Sequence, residues 1–300
     1  MPQANMMNLP DKNQVGIEDG VFVKYHTDAT KFDWMPGGTT KENLRKFVEQ
    51  EMYVSKLCYD AGICTPKPVK YGYSQTRHAW YTVHDAINII SFESALETIK
   101  HDSDNGVVRD SSAIMNSAAI STCKILDTMH SLEYDPDKVK VDWFGNSIAR
   151  MSKTRDDLIA AYSEYANDKY IKLLCEWTDE VSKLPRTKLI HLDVHFNRNV
   201  AFVDSVDSGK VTVFDFDEAG LGVEEVDYAI LALSAYEFSD EVFNVAMNKL
   251  RTMPNAELVY KYMVMYRSLA ELIKYVDRKI IVEYQGTFDA ICEERLNLLK

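Results

Sequence analysis

The chain has no run of eighteen or more apolar residues, so none of its 300 residues is expected to form a membrane-crossing helix. It has no basic cluster either. A formal net charge of −12 argues against nucleic acid as a main partner, because binding a phosphate backbone rests on grouped Lys and Arg. Its cysteines (58, 64, 123, 175 and 292) are scattered and odd in number, with no Cys-x-x-Cys spacing. That excludes a disulfide framework or a zinc site and points to a reducing cytoplasm. The stretch from Met1 to Asn8 lacks the basic start and long apolar core of a secretory signal and reads as a short, loosely docked leader. Glycine is sparse, with Gly16 and Gly20 the only two before Lys24. No repeat, low-complexity tract or linker divides the chain, and a hydrophobic content of 46% suffices for one large domain or two lobes.

What is present is concentrated between residues 188 and 220. Lys188-Leu-Ile leads into His191-Leu-Asp-Val-His-Phe-Asn-Arg-Asn199, Val200-Ala-Phe-Val runs out of it, Asp204 to Gly209 makes a turn, and Val211-Thr-Val-Phe returns to Asp215-Phe-Asp-Glu-Ala-Gly220. This reads as strand, loop, strand, turn, strand, and it should bring Asp215 back beside the loop that holds Asp193. A lone Asp-Phe-Asp usually ends a strand, and a lone His-x-Asp-x-His is usually surface polarity. Together and in this order they supply two carboxylates and an amide, the minimal equipment for phosphoryl transfer: a group to orient the attacking hydroxyl and hard oxygen ligands for magnesium.

These residues resemble the His-Gly-Asp-x-His-x-x-Asn and Asp-Phe-Asp-Asp-Ala-Gly signatures of the aminoglycoside phosphotransferase and choline kinase group, the small-molecule branch of the protein-kinase-like fold. The second signature is the closer match. The resemblance implies an α+β, two-lobed protein-kinase-like fold, with a small antiparallel-sheet N-lobe over residues 1–86 and a mostly helical C-lobe over 87–300. It further implies ATP and Mg2+ as cofactors and a phosphotransferase that acts on an alcohol group. By position, Asp193 resembles the catalytic base, Asp215 the metal-binding aspartate and Asp227 the buried aspartate that braces the catalytic loop. The family's metal-binding Asn lies five residues after its base, which here is Arg198. Asn199, which leads directly into the apolar Val200-Ala-Phe-Val, fits that role through a one-residue insertion, with Asn197 as the alternative. His191 and His195 are expected to hold the loop. Arg198 either touches the γ-phosphate or faces solvent, and Asp217 and Glu218 lie beside the metal or face the substrate.

Upstream, Gly20-Val-Phe-Val-Lys-Tyr25 alternates as a strand that places Phe22 and Lys24 on one face. Thr39-Thr-Lys-Glu42 reads as a capping box. The helix that follows carries Leu44, Phe47, Val48, Val54 and Cys58 at helical spacing and ends near Gly62. Glu51 falls inside that apolar stripe, where a carboxylate needs a partner. Lys24 offers the charge, which is the strand-lysine to helix-glutamate pair of a kinase N-lobe. No glycine-rich sequence stands where the phosphate-covering hairpin belongs, so the first hairpin is either very short or of another design. The loop between Tyr25 and Thr39 is a candidate lid.

Trp80-Tyr-Thr-Val-His-Asp85 reads as a strand leading to a crossover, which by the resemblance is the hinge whose backbone, at His84, Asp85 and Ala86, receives adenine. A helix from Phe92, a polar loop at 101–106 and a helix from Ile114 to Met129 follow, with His130 bracing the catalytic loop. From Val211 to Asp240 there are eight acidic residues and no Lys or Arg. That field could serve the metal and steer a cationic small-molecule substrate, or Glu224, Glu225, Glu237 and Asp240 could simply form the solvated first turns of helices. The C-terminal third reads as helical with a break at Pro254, and its Tyr260, Tyr262, Tyr266, Tyr275 and Tyr284 are either core residues or a cage for an amine. An aminoglycoside, an amino-alcohol or a sugar-like molecule fits as acceptor. The rival readings are a non-catalytic nucleotide-binding or partner-binding module, and a protein Ser/Thr kinase, for which the interval from Asp215 to Glu224 leaves little room for an activation loop.

Overall fold

The computed structural model describes residues 14–18, 20–26, 40–104, 109–149, 152, 156, 168–236, 238–277 and 292–298. The candidate lid, the leader and Tyr284 lie outside them. Strand β1 (Gln14–Glu18) and β2 (Val21–His26) form an antiparallel hairpin in which Glu18 pairs with Val21. Two residues therefore join the strands, and Gly20 supplies the φ of +79° that so tight a turn needs. The first described hairpin is thus the very short one. With β3 (Pro68–Ser74) and β4 (Ala79–Asp85) it makes a four-stranded antiparallel sheet in the order β1-β2-β4-β3.

Helix α1 (Lys41–Asp60) packs across this sheet. Its cap is Thr40, whose hydroxyl accepts from the Asn43 amide at 3.1 Å, one residue later than the capping-box reading from Thr39. Phe47, Val48, Glu51, Val54, Ser55 and Cys58 form its buried stripe. The helix is closed by Gly62 at φ +79°, with the Ile63 amide donating to Cys58 O at 3.0 Å, so the apolar stripe ends where a left-handed residue turns the chain back.

Beyond β5 (Ile89–Ile90) the chain is mostly helical: α2 (Phe92–Asp104), α3 (Ser111–His130), α4 (Asp168–Ser182), α5 (Glu225–Ala235), α6 (Asp240–Leu250) and α7 (Ala256–Asp277). Helix α2 continues through much of the expected polar loop, and Pro254 marks the break before α7 as the sequence suggested. Four short strands lie between α4 and α5. These are β6 (Lys188–Ile190), β7 (Val200–Val203) and β8 (Val211–Val213), with β9 (Gly220–Gly222) after them. Strand β7 pairs with β8, while β6 pairs with β9, so the two motif loops are held by separate pairings rather than by one continuous hairpin. Helix α5 is buried on every side, as its run of Ala, Ile and Leu requires, and it anchors the core beneath both loops. Among the described residues no helix is long and apolar enough to cross a membrane.

Candidate functional site

Strand β6 buries Leu189 and Ile190 completely, and the chain leaves it at His191. Asp227, on the first turn of α5 and fully buried, accepts hydrogen bonds from the amides of His191 and Leu192, both at 2.8 Å, and from Nε2 of His130 at 2.9 Å. Leu192 is held at φ +66°, a left-handed conformation that a branched side chain rarely adopts. The bonds to Asp227 fix that turn, and the turn presents Asp193. His191 is buried, with Nε2 3.0 Å from the Phe214 carbonyl and Nδ1 3.4 Å from the Asp193 amide. One neutral tautomer, protonated on Nε2, satisfies both contacts and ties the Asp193 loop to the end of β8.

Both Asp193 carboxylate oxygens are occupied. Oδ2 accepts from Asn199 Nδ2 at 2.8 Å, and the same amide also donates to the Asp193 carbonyl at 2.7 Å. Oδ1 lies 3.1 Å from His195 Nε2, whose ring places Nδ1 3.1 Å from a guanidinium nitrogen of Arg267. A guanidinium can only donate, so His195 carries its proton on Nε2 and donates it to Asp193. Burial is the largest influence on Asp193 and opposes its ionisation, but the hydrogen bond from His195 and the electrostatic effect of the His195 and His191 rings together outweigh it and hold the carboxyl below its usual range. Burial also lowers His195, which keeps that ring neutral. The structure therefore brings Asn199, not Asn197, onto Asp193, while Arg198 is exposed.

Asp215 ends the loop after β8 at φ +66° and opens the short turn Phe216–Glu218. Lys24 Nζ forms an ion pair with Asp215 Oδ1, a second with Asp217 Oδ2 at 2.8 Å and a third with Glu51 Oε1 at 4.0 Å. The expected Lys24–Glu51 pair is present but is the longest of the three. Glu51 is closer to another group, with Oε2 3.2 Å from Nε2 of His26. Burial would lower the Lys24 ammonium, but the carboxylates of Asp215, Asp217 and Glu51 outweigh it and hold its pKa well above the usual value. Asp217, expected beside a metal or facing substrate, is buried against Lys24.

Sequence reasoning missed three residues that shape this site. His26 follows Lys24 by two positions on the same face of β2, a period-two signal that was readable. Gln50, an amide buried in the stripe of α1, accepts from the Val141 amide at 2.7 Å and donates to the carbonyls of Val141 at 3.1 Å and Ala219 at 2.9 Å. It pins α1 to the turn that carries Asp215 and Asp217. Arg267 comes from α7, and no local pattern announces its contact with His195. Two open alternatives are narrowed. Glu225 is no solvated first-turn acid: it is buried and accepts from the amide and the side chain of Asn255, both at 3.1 Å. Tyr260 and Tyr262 are buried core residues, not walls of an amine cage, and the side chain of Tyr275 lies outside those described.

A cavity of about 510 Å³ runs between the sheet and the motif loops. Lys24, Glu51 and Asp215 line one end, and His84 to Ile87 line another part of its wall. The Asp85 amide donates to Lys67 O at 2.9 Å and the Ala86 amide to Gly20 O at 3.2 Å. Burial, and then the charge of Lys24, push the His84 imidazole down to about 4, so it is neutral at physiological pH. Among the described residues no group of three or more His, Cys, Asp or Glu could hold a metal by itself. Asp215 and the amide oxygen of Asn199 are hard donors, and a two-donor set suits magnesium, which keeps several waters and takes phosphate oxygens.

No family model matches the sequence, and no curated protein does. Solved structures do match over nearly the whole chain. The GDP complex of wild-type aminoglycoside 2'-phosphotransferase-IIIa aligns with a TM-score of 0.59 at 12% identity, covering 99% of this chain and 93% of that one. The ADP-bound aminoglycoside phosphotransferase APH(2'')-Ib aligns at 0.57 and 14% identity, covering 98% and 92%. A choline/ethanolamine kinase family protein from Mesorhizobium loti aligns at 0.53 and 10%, covering 100% and 87%. With its small antiparallel sheet, single packed helix and helical remainder, the chain has the fold shared by the aminoglycoside phosphotransferases and this choline/ethanolamine kinase family protein.

Proposed function

We propose that the chain is a phosphotransferase that uses ATP and magnesium to phosphorylate a hydroxyl group of a small molecule, with residues 1–86 and 87–300 as the two lobes around the cavity. The observation that carries this is the meeting of Lys24 with Asp215 and Asp217, 191 and 193 positions away in sequence, beside a loop in which Asn199 holds Asp193. A buried ammonium facing three carboxylates is costly as mere scaffolding and useful where phosphate charge must be received.

In this reading Asp193 orients the acceptor hydroxyl and takes its proton. Each carboxylate oxygen accepts one hydrogen bond already and keeps a lone pair for that task. His195, held in one tautomer by Arg267, keeps the carboxylate ionised and correctly turned. Lys24 leaves its resting contacts to hold the nucleotide phosphates, and Glu51 limits how far it swings. Asn199 and Asp215 would hold magnesium, which when bound neutralises the phosphate charge. The hinge from His84 to Ile87 receives the base. The acids at the site favour a cationic acceptor such as an aminoglycoside or amino-alcohol over an anionic one. A reducing cytoplasm, in which cysteines persist as thiols, completes the proposal.

A second reading, a nucleotide-binding module without turnover, is favoured by one specific observation. The described N-terminal hairpin turns in two residues, and no glycine-rich segment precedes Lys24 to cover the phosphates. Turnover separates the two readings. ATP consumption across amino-alcohols, aminoglycosides, sugars and nucleosides is expected with at least one acceptor, and Asp193→Ala should lower it by about a hundredfold or more. Equal rates for parent and variant on every acceptor would remove Asp193 as the base. Melting with and without ATP and magnesium should show a metal-dependent rise that Asp215→Ala loses.

A further inference from the structure

The cavity contains a polar feature that the phosphate-transfer reading does not use. On β2 and β4, Phe22 and His84 are register partners, as are Lys24 and Thr82, so these side chains share one sheet face. On α1, Glu51 and Ser55 are one turn apart and both line the cavity. Lys24 and Glu51 thus form one layer, and Phe22, His84 and Ser55 form the next. Ser55 is 1% exposed, and its Oγ has no hydrogen-bond partner. The His84 ring also lines the cavity and makes no hydrogen bond to a described protein group, although it is neutral and carries one donor and one acceptor. An unpaired buried hydroxyl is unfavourable until something in the cavity satisfies it. The nearby lining is largely apolar, with Val15, Ile17, Ala86, Ile87 and Ile89, which suits a flat ring carrying one polar edge.

We infer that Ser55 and His84 form a subsite for the polar substituent on the six-membered ring of a purine, and that it accepts the amino group of adenine and the carbonyl of guanine alike. A hydroxyl can donate or accept by rotating, and a neutral imidazole can do either by changing tautomer. Neither is committed by a protein partner, so neither base is rejected by a group locked in the wrong sense. The inference rests on the reading of this cavity as a nucleotide site.

The test is calorimetric titration of the full chain with the magnesium complexes of ADP, GDP and purine riboside diphosphate, which lacks the six-position substituent. ADP and GDP should bind within about tenfold of each other. Purine riboside diphosphate should bind about tenfold more weakly than ADP, the worth of roughly one hydrogen bond. His84→Leu and Ser55→Ala should each shrink the gap between ADP and the purine analogue. Ser55→Ala removes only an unpaired hydroxyl and should not lower the melting temperature, so it stands as the reporter if His84→Leu folds poorly. A preference beyond tenfold for either base, equal affinity for ADP and the purine analogue in the parent, or a gap unchanged in Ser55→Ala would overturn the subsite while leaving the nucleotide site intact. Binding of none of the three would overturn the nucleotide site and the subsite together.

Discussion

Replacing Asp227 should unfold the Asp193 loop before it unfolds anything else. The carboxylate is fully buried and accepts from two backbone amides at 2.8 Å and from His130 at 2.9 Å. Hydrogen bonds to a charged group contribute about 1.5–3 kcal/mol each, and a buried amide left unpaired costs about 1–3 kcal/mol. The left-handed Leu192 adds a cost of about 1–2 kcal/mol that only those bonds offset. These contributions overlap, because a loop that loses its anchor relaxes and lets water reach its amides. A net loss of about 4 kcal/mol for Asp227→Ala is the reasonable sum, a large share of the roughly 5–15 kcal/mol that holds a domain together. Asp227→Asn keeps one acceptor oxygen and should lose about half as much. Urea unfolding, followed by far-UV circular dichroism with the slope checked for constancy, gives both values. The exposed Asp240→Ala should change stability by less than about 0.5 kcal/mol and serves as the control. A loss below about 1 kcal/mol in Asp227→Ala would refute the claim that this carboxylate holds the loop.

Three further outcomes follow from the same geometry. Lys24→Met leaves three carboxylates without their cation and should cost about 2–4 kcal/mol; added magnesium should raise its melting temperature more than the parent's, and an equal rise would show that the metal does not take the position beside these acids. Asn199→Ala frees the Asp193 carboxylate to turn and should lower kcat by about a hundredfold and raise the magnesium needed for half-maximal rate, both more than Asn197→Ala does in steady-state assays. His84 has a folded pKa of about 4 against 6.5 in the unfolded chain, so its stabilising effect is complete above 6.5 and is lost as pH falls towards 4; the unfolding free energy from urea titrations across that window should drop by an amount on the order of 2 kcal/mol, less steeply in His84→Leu, with His195, also lowered, keeping part of the slope.

The sequence disclosed the parts of this molecule that local rules dictate. A threonine cap, read at Thr39 and found at Thr40, and a close near Gly62 were legible for α1 because a hydroxyl cap and a left-handed turn are short-range requirements, and the stripe between them marks Glu51 as a buried acid in need of a partner. The motif strands were legible from their alternation of apolar runs with turn residues. Their pairing was not: β6 to β9 and β7 to β8 is a long-range choice that period-two patterning leaves open. Glu225 shows the same limit. It reads as a solvated first-turn acid until Asn255, thirty positions later, supplies its amide and side-chain donors. Lys24 was correctly marked as a buried cation, but which acid it would choose depended on how close the Asp215 turn comes, a distance fixed by Gln50 and by β8 rather than by anything near Lys24.

That distance is what makes the site electrostatically one-sided. Gln50 ties α1 to Val141 and Ala219 through a neutral amide, so the helix is clamped against the Asp215 turn without adding charge. Around the clamp, Lys24 faces Asp215, Asp217 and Glu51, a formal surplus of two negative charges among these four groups. Two unit charges about 4 Å apart interact by about 4 kcal/mol at an effective dielectric of 20, so a bare triphosphate entering this cluster is opposed by more than Lys24 alone can offset. On the proposed function, a divalent cation arriving with the nucleotide would cancel that surplus of two and let Lys24 leave its resting partners. In kinases with a glycine-rich cover, backbone amides share the work of holding the phosphates. With only two residues across its turn, the first described hairpin has fewer of them to offer. On the proposed function, dependence on the metal should therefore be steeper here than in a relative whose phosphates lie under a glycine-rich loop, because here the cation must both neutralise the acids and do much of the gripping.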